Sequence, residues 1–164
     1  MLTRRNLLKA SAALSATSAI VGLGPLVSAF AATTAKVTHT DAEWQKLLSP
    51  DAYDVLRHEG TERPFTSALL DEHRDGNFNC AGCDLPLFSS KTKFDSGTGW
   101  PSFWAPLDNG VSEKKDKTFG MIRTAVECSR CDGHLGHVFD DGPAPTGLRY
   151  CMNGVALKFV AAAA

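Results

Sequence analysis

At 164 residues the chain is long enough for one domain and short for two. Apolar residues make up 43 % and charged residues 21 %, the balance of an ordinary globular protein. A formal net charge of -1 argues against nucleic-acid binding through a basic patch.

The N-terminus reads as an address rather than part of the fold. Thr3-Arg4-Arg5-Asn6-Leu7-Leu8-Lys9 is basic and carries a twin arginine. An uncharged Ala/Ser/Leu-rich stretch follows from Ala10 to Ala32, and Ala29-Phe30-Ala31 has the small-x-small pattern of a cleavage site. Such twin-arginine segments resemble bacterial Tat export signals. A chance Arg-Arg ahead of a Sec signal is one alternative. An uncleaved anchor is another, weakened by Gly22, Gly24 and Pro25. The expectation is a signal over residues 1–31, cleavage after Ala31, and a periplasmic product with no membrane attachment. Cleavage removes three of the 17 basic side chains and none of the 18 acidic ones, which moves the net charge to -4.

Residues 32–40 read as a tether, and residues 41–160 as the folded domain. Thr40-Asp41-Ala42-Glu43 predicts a capping box, with Trp44, Leu47 and Leu48 at helical spacing behind it. Ser49-Pro50 restarts a helix with proline at its first position, carrying Tyr53, Val55 and Leu56 and ending at Gly60. From Gly76 onward short β-type runs alternate with turn residues. The runs are 78–80, 86–88, 118–128, 137–139 and 148–160. An antiparallel β core behind a small helical segment is the expected fold, mainly β.

The chain has five cysteines. Cys80 and Cys83 form one C-x-x-C pair, Cys128 and Cys131 a second, and Cys151 stands alone. Two thiolate pairs in turn-like, glycine-bearing sequence suit one closed, structural tetrahedral zinc site per chain. The 44 residues between the pairs exceed the spacing of a compact zinc ribbon, so the metal would tie together distant parts of the sheet. The same four could form disulfides in an exported protein, and a single C-x-x-C is also a redox motif. Tat export of a folded protein favours zinc, since metal can be loaded in the reducing cytoplasm.

In Arg149-Tyr150-Cys151-Met152-Asn153, strand alternation puts Arg149, Cys151 and Asn153 on one face and the apolar groups on the other. A cation beside a thiol favours the nucleophilic thiolate. A buried, inert cysteine is the competing reading. Gly133-His134-Leu135-Gly136-His137 adds two histidines able to donate a proton near neutral pH; structural hydrogen bonds or zinc ligation are the alternatives for them. The run Phe94-Asp95-Ser96-Gly97-Thr98-Gly99-Trp100-Pro101-Ser102-Phe103-Trp104 is not a nucleotide loop, because no helix follows it and Pro101 blocks one. It suits a small apolar pocket, while Phe94, Phe103 and Trp104 read equally as core.

Taken together, residues 41–160 resemble the B-type methionine sulfoxide reductases of the zinc-containing branch. The resemblance rests on Gly60-Thr61-Glu62-Arg63-Pro64-Phe65, the Phe94–Phe103 run, Gly133–Phe139, Arg149–Asn153 and the two C-x-x-C pairs, in family order. It implies two antiparallel sheets with short helices, pinned by a structural Zn2+ on Cys80, Cys83, Cys128 and Cys131. It implies Cys151 as nucleophile with Arg149 and Asn153 flanking it. His134 and His137 would bind and protonate the sulfoxide oxygen, and Trp100 and Phe139 would wall the substrate methyl group. The partners implied are oxidised proteins carrying methionine-R-sulfoxide and a thioredoxin-like protein or small thiol as reductant. Nothing points to an oligomer, so a monomer is expected. Many family members carry a resolving cysteine where this chain has Thr98, so the usual internal disulfide step is in doubt. A zinc-pinned binding module without chemistry, and a general thiol–disulfide oxidoreductase, are the competing functional classes.

Overall fold

The computed structural model describes residues 35–116 and 122–163. The expected export segment therefore lies outside the described residues. Helix α1, Asp41–Leu47, begins at the capping box: the Glu43 carboxylate accepts from Thr40 N at 2.7 Å, and the Thr40 hydroxyl accepts from Glu43 N at 3.4 Å. Helix α2, Pro50–His58, is capped by the Ser49 hydroxyl accepting from Ala52 N at 3.2 Å. It stops one residue earlier than expected, because Glu59 and not Gly60 takes the left-handed conformation, at φ 58°. Gly60 N then donates back to Asp54 O. The end of the tether is docked: Val37 N donates to Arg130 O at 2.9 Å and its side chain packs against the core.

Among the described residues nine strands form two antiparallel sheets. They are β1 Gly76–Cys80, β2 Pro86–Ser89, β3 Lys93–Phe94, β4 Ser102–Phe103, β5 Val111–Asp116, β6 Arg123–Cys128, β7 His134–Phe139, β8 Arg149–Met152 and β9 Leu157–Ala161. The order is β2-β1-β9 in one sheet and β3-β4-β8-β7-β6-β5 in the other. The 148–160 run is thus not one strand. It breaks at Gly154–Ala156, a single helical turn, and the chain passes from the larger sheet to the smaller. Strand β5, Val-Ser-Glu-Lys-Lys-Asp, carries no apolar alternation because it is the exposed edge of its sheet, where charge discourages further pairing.

Apolar faces of the two sheets meet in one core. Phe78 of β1, Phe88 of β2 and Phe103 of β4 are wholly buried, with Phe88 stacked on Phe103 at 4.4 Å and Phe78 edge-on to it at 4.9 Å. Phe103 is therefore core. Trp44, Val55 and Leu56 bring the helices onto the same cluster. Among the described residues no helix is long and apolar enough to cross a membrane.

Candidate active site and metal centre

Cys80 ends β1 and Cys128 ends β6; Cys83 and Cys131 sit in the turns that follow. The cluster therefore joins the two sheets. Its four sulfurs lie within 4.8 Å of one another, Cys80–Cys131 at 3.6 Å and Cys83–Cys128 at 3.5 Å. A disulfide needs about 2.05 Å, and all five cysteines are free. Four sulfurs around a tetrahedral ion with ~2.3 Å bonds stand roughly 3.8 Å apart, so the set fits such an ion. Its electrostatics agree. Hydrogen bonds to Cys128 and Cys131, with burial, push the Cys80 thiol up, while bonds from Cys131 and Cys80 push Cys128 down. Crowded sulfurs share protons in this way, and a cation would replace those protons. Backbone N–H groups of Leu85 and Cys131 point at the Cys83 and Cys128 sulfurs. Arg57 of α2 donates to the carbonyls of Cys131 and Asp132, both at 3.0 Å, and holds the second knuckle against the helix.

The second site opens between β7, β8 and the 95–101 loop. A cleft of about 130 Å³ is lined by Cys151, His137, Asn153, Trp100 and Phe139. Strand pairing sets this convergence: Cys151 lies opposite His137 on one side and opposite Ser102 on the other. The expected alternation holds over 149–152, with Tyr150 and Met152 buried and Arg149 and Cys151 half-buried, whereas Asn153 lies past the end of the strand and is buried. Gly136 faces β8 so closely that a Cβ there would overlap the Cys151 carbonyl oxygen.

Each partner is held by identifiable bonds. Arg149 makes a two-pronged pair with Asp141, both contacts 2.8 Å, and lies 4.4 Å over the Phe139 ring. Asp141 chiefly sustains its charge, and the Cys151 sulfur is also in reach. His137 Nε2 lies 2.9 Å from Asp116 Oδ2, and Arg123 Nη2 lies 2.8 Å from the same oxygen. His134 is brought to this cluster but not to the cleft surface. It is 3 % exposed and sits edge-on to His137 at 5.3 Å. Among the described residues neither of its ring nitrogens has a hydrogen-bond partner. Burial, and then His137, depress its pKa to about 4, so it is neutral at neutral pH.

Asn153 is 3 % exposed and its amide is committed: Nδ2 donates to Leu135 O and Oδ1 accepts from Glu62 N, each at 3.0 Å. Glu62, which in the sequence is only one residue of the Gly60–Phe65 motif, is the hub of these contacts. Its carboxylate accepts from Gly154 N at 2.5 Å and Val155 N at 3.1 Å, and its carbonyl accepts from Trp100 Nε1 at 3.1 Å. Thr61, Gly136 and Arg123 also line the cleft without having been singled out, and Asp116 and Asp141 brace its cations. A glutamate just before Arg-Pro in an irregular segment was the available signal for Glu62. The others carry no local pattern.

At the base of the 95–101 loop, Thr98 Oγ1 stands 3.8 Å from Cys151 Sγ. A hydroxyl therefore occupies the place where a second thiol would be in position to react.

Comparison with known proteins agrees with this geometry. The SelR domain family model matches residues 48–161. The chain is 58 % identical over 125 residues to a peptide methionine sulfoxide reductase MsrB of Pseudomonas putida, covering 76 % of this chain and 94 % of the relative. It is 58 % identical over 121 residues to the MsrB of Thiobacillus denitrificans, covering 73 % and 92 %. To that of Agrobacterium fabrum it is 53 % identical over 128 residues, covering 77 % and 95 %. A matched domain that spans both sheets, the four-cysteine cluster and the Cys151 cleft, with relatives covered almost end to end, makes this chain a member of the SelR family, the B-type methionine sulfoxide reductases.

Proposed function

We propose that the cleft reduces the R epimer of methionine sulfoxide in polypeptides, with Cys151 as the nucleophile. The observation that carries this is the placement of one half-buried thiol at a small cleft whose walls are Trp100 and Phe139 and whose polar edge is His137. Such a cleft suits a methyl-sulfinyl group, apolar at one end and an acceptor at the other.

Arg149 lies within reach of the sulfur and can pair with the charge of the attacking Cys151 thiolate. The thiolate attacks the sulfoxide sulfur. The attack forms a bond between the two sulfurs; the oxygen then moves to the cysteine sulfur as its bond to the substrate sulfur breaks, the bond between the sulfurs breaks with it, methionine leaves as the thioether, and Cys151 is left as sulfenic acid. Two electrons pass from the cysteine sulfur to the substrate, and the oxygen needs a proton or a strong donor as it departs. His137 is the donor in this reading. Its Nε2 is paired with the Asp116 carboxylate, so a proton handed to the departing oxygen comes from Nδ1. Buried, neutral His134 packs behind His137, away from the cleft surface, and does not act as the acid.

Regeneration comes from outside the chain. The four remaining cysteines are the ligands of one structural Zn2+, which when bound locks the two sheets together and takes no part in the reaction. Thr98 cannot form a disulfide. A thioredoxin-like dithiol, or two small thiols in turn, attack the sulfenic sulfur, release water and then exchange to free Cys151. The chain works as a monomer in the periplasm, reached by the twin-arginine signal over residues 1–31, and repairs oxidised exported proteins.

Peptides bearing separated sulfoxide epimers test this. The R epimer should turn over and the S epimer should not. One cycle without reductant should leave one added oxygen on Cys151 by mass spectrometry. Cys151→Ser protein that still reduces the R epimer would overturn the assignment.

A further inference from the structure

We infer that Ser102, Ser96 and Thr98 form a directional chain of hydroxyls that controls whether Cys151 is held as thiol or as thiolate. The inference rests on the assignment of Cys151 as the reacting group. Ser102 is 1 % exposed and lies opposite Cys151 in the β4–β8 pair, so the chain starts in the core and ends on the sulfur.

Four contacts link it. Ser102 Oγ donates to Trp100 O at 3.1 Å. Ser96 Oγ lies 2.7 Å from Ser102 Oγ, Thr98 Oγ1 lies 2.8 Å from Ser96 Oγ, and Cys151 Sγ lies 3.8 Å from Thr98 Oγ1. Each hydroxyl has one proton to give. A carbonyl only accepts, so Ser102 spends its proton on Trp100. Ser96 must then donate to Ser102, and Thr98 to Ser96. Thr98 has no proton left for the sulfur and can only accept from it. The resting chain therefore offers the sulfur an acceptor and no donor.

The thiolate needs the reverse. When the S–H bond breaks and its proton passes to solvent, the sulfur becomes an acceptor. If Thr98 alone turned toward it, the 2.8 Å gap to Ser96 would be left with two oxygens and no proton between them. Turning all three hydroxyls about their C–O bonds avoids this. Ser102 then donates to Ser96, Ser96 to Thr98, and Thr98 to the sulfur. No O–H bond breaks, and the one bond surrendered is Ser102 to Trp100 O, longer than the two O–O contacts it protects. Thr98 thus touches the reacting atom. Ser96 and Ser102 act through it as positioning residues, and the same reversed chain supports the sulfur after each turnover returns it to thiolate.

The signs of the variants differ, which a merely structural role would not produce. Thr98→Val removes the one hydroxyl, among the described residues, in hydrogen-bond contact with the sulfur. Ser102→Ala removes the bond that resists reversal, and Ser96→Ala releases Thr98 from donating inward. The experiment is the rate of iodoacetamide alkylation of Cys151 against pH in the full-length, zinc-loaded protein, read by mass spectrometry. It needs no sulfoxide, so its outcome is separate from that of the epimer assay. At pH 7 Thr98→Val should react about fivefold more slowly than wild type, and Ser102→Ala and Ser96→Ala about fivefold faster, the size of one net hydrogen bond. Thr98→Ser should match wild type. All differences should vanish at a pH where every Cys151 is ionised. Unaltered zinc content and melting temperature establish that the variants fold. Rates for Thr98→Val and Ser102→Ala that move in the same direction, or do not move, would overturn the chain.

Discussion

Replacing Glu62 should loosen the cleft from behind without touching the reacting atoms. Its carboxylate is, among the described residues, the acceptor for the Gly154 and Val155 N–H groups, at the turn where the chain leaves one sheet for the other. Hydrogen bonds to an ionised group contribute about 1.5–3 kcal/mol each. Glu62 is half-buried, so the lower end of that range applies, and Glu62→Ala should cost about 3 kcal/mol. For a domain of this size that is a fall in melting temperature of roughly 10 °C. Glu62→Gln keeps one acceptor oxygen and turns an amide nitrogen toward the other N–H, so it should lose about half as much. The same loop holds Trp100 through the Glu62 carbonyl and Asn153 through the Glu62 N–H. Cleft geometry should therefore suffer with stability, and kcat/KM on an R-sulfoxide peptide should fall at least about tenfold, the scale expected when positioning is lost. Urea denaturation and steady-state kinetics on the three proteins measure both. A Glu62→Ala protein within about 0.5 kcal/mol of wild type, the scatter of ordinary surface changes, would refute the reasoning.

Two further outcomes follow from the metal cluster and the buried histidine. Stripping the metal with a chelator, or Cys128→Ser, should abolish the cooperative melt, since a structural zinc contributes about 10–16 kcal/mol and whole domains are stable by about 5–15; thiol titration of the stripped wild-type protein should then find all five cysteines reactive, and a metal-free protein that melts as before would count against a structural site. His134 has its pKa depressed to about 4 from the ordinary 6.5, so the unfolded chain takes up that proton first as pH falls. Stability from this residue is present above pH 6.5 and is lost toward pH 4, about 2 kcal/mol of it between pH 7 and pH 5. His134→Leu should lose that much less over the same interval in urea titrations, and equal losses in both proteins would show that His134 is not buried neutral.

Local chemistry made part of this protein legible from its residues alone. Thr40 with Glu43 and Ser49 with Pro50 specify two helix starts through contacts three residues apart, and both formed. The period of a strand put Arg149 and Cys151 on one face with Tyr150 and Met152 on the other. Two C-x-x-C pairs pointed to a metal cluster because each pair is a local turn. What lay beyond reach was whatever depends on residues far apart in sequence. Val111–Asp116 is a strand only because β6 offers it an edge, and its charges conceal it. The 148–160 run looks continuous, yet Glu62, more than 90 residues away, receives the N–H groups that break it. Thr98 and Cys151 are 53 residues apart and meet because Ser102 pairs with Cys151 across two strands. His134 and His137 look equivalent in sequence, and only the packing around β7 buries one and opens the other to the cleft. Spacing along the chain determines which groups are available, whereas long-range pairing and burial decide which of them face the sulfur, which stay neutral and which hold the others in place.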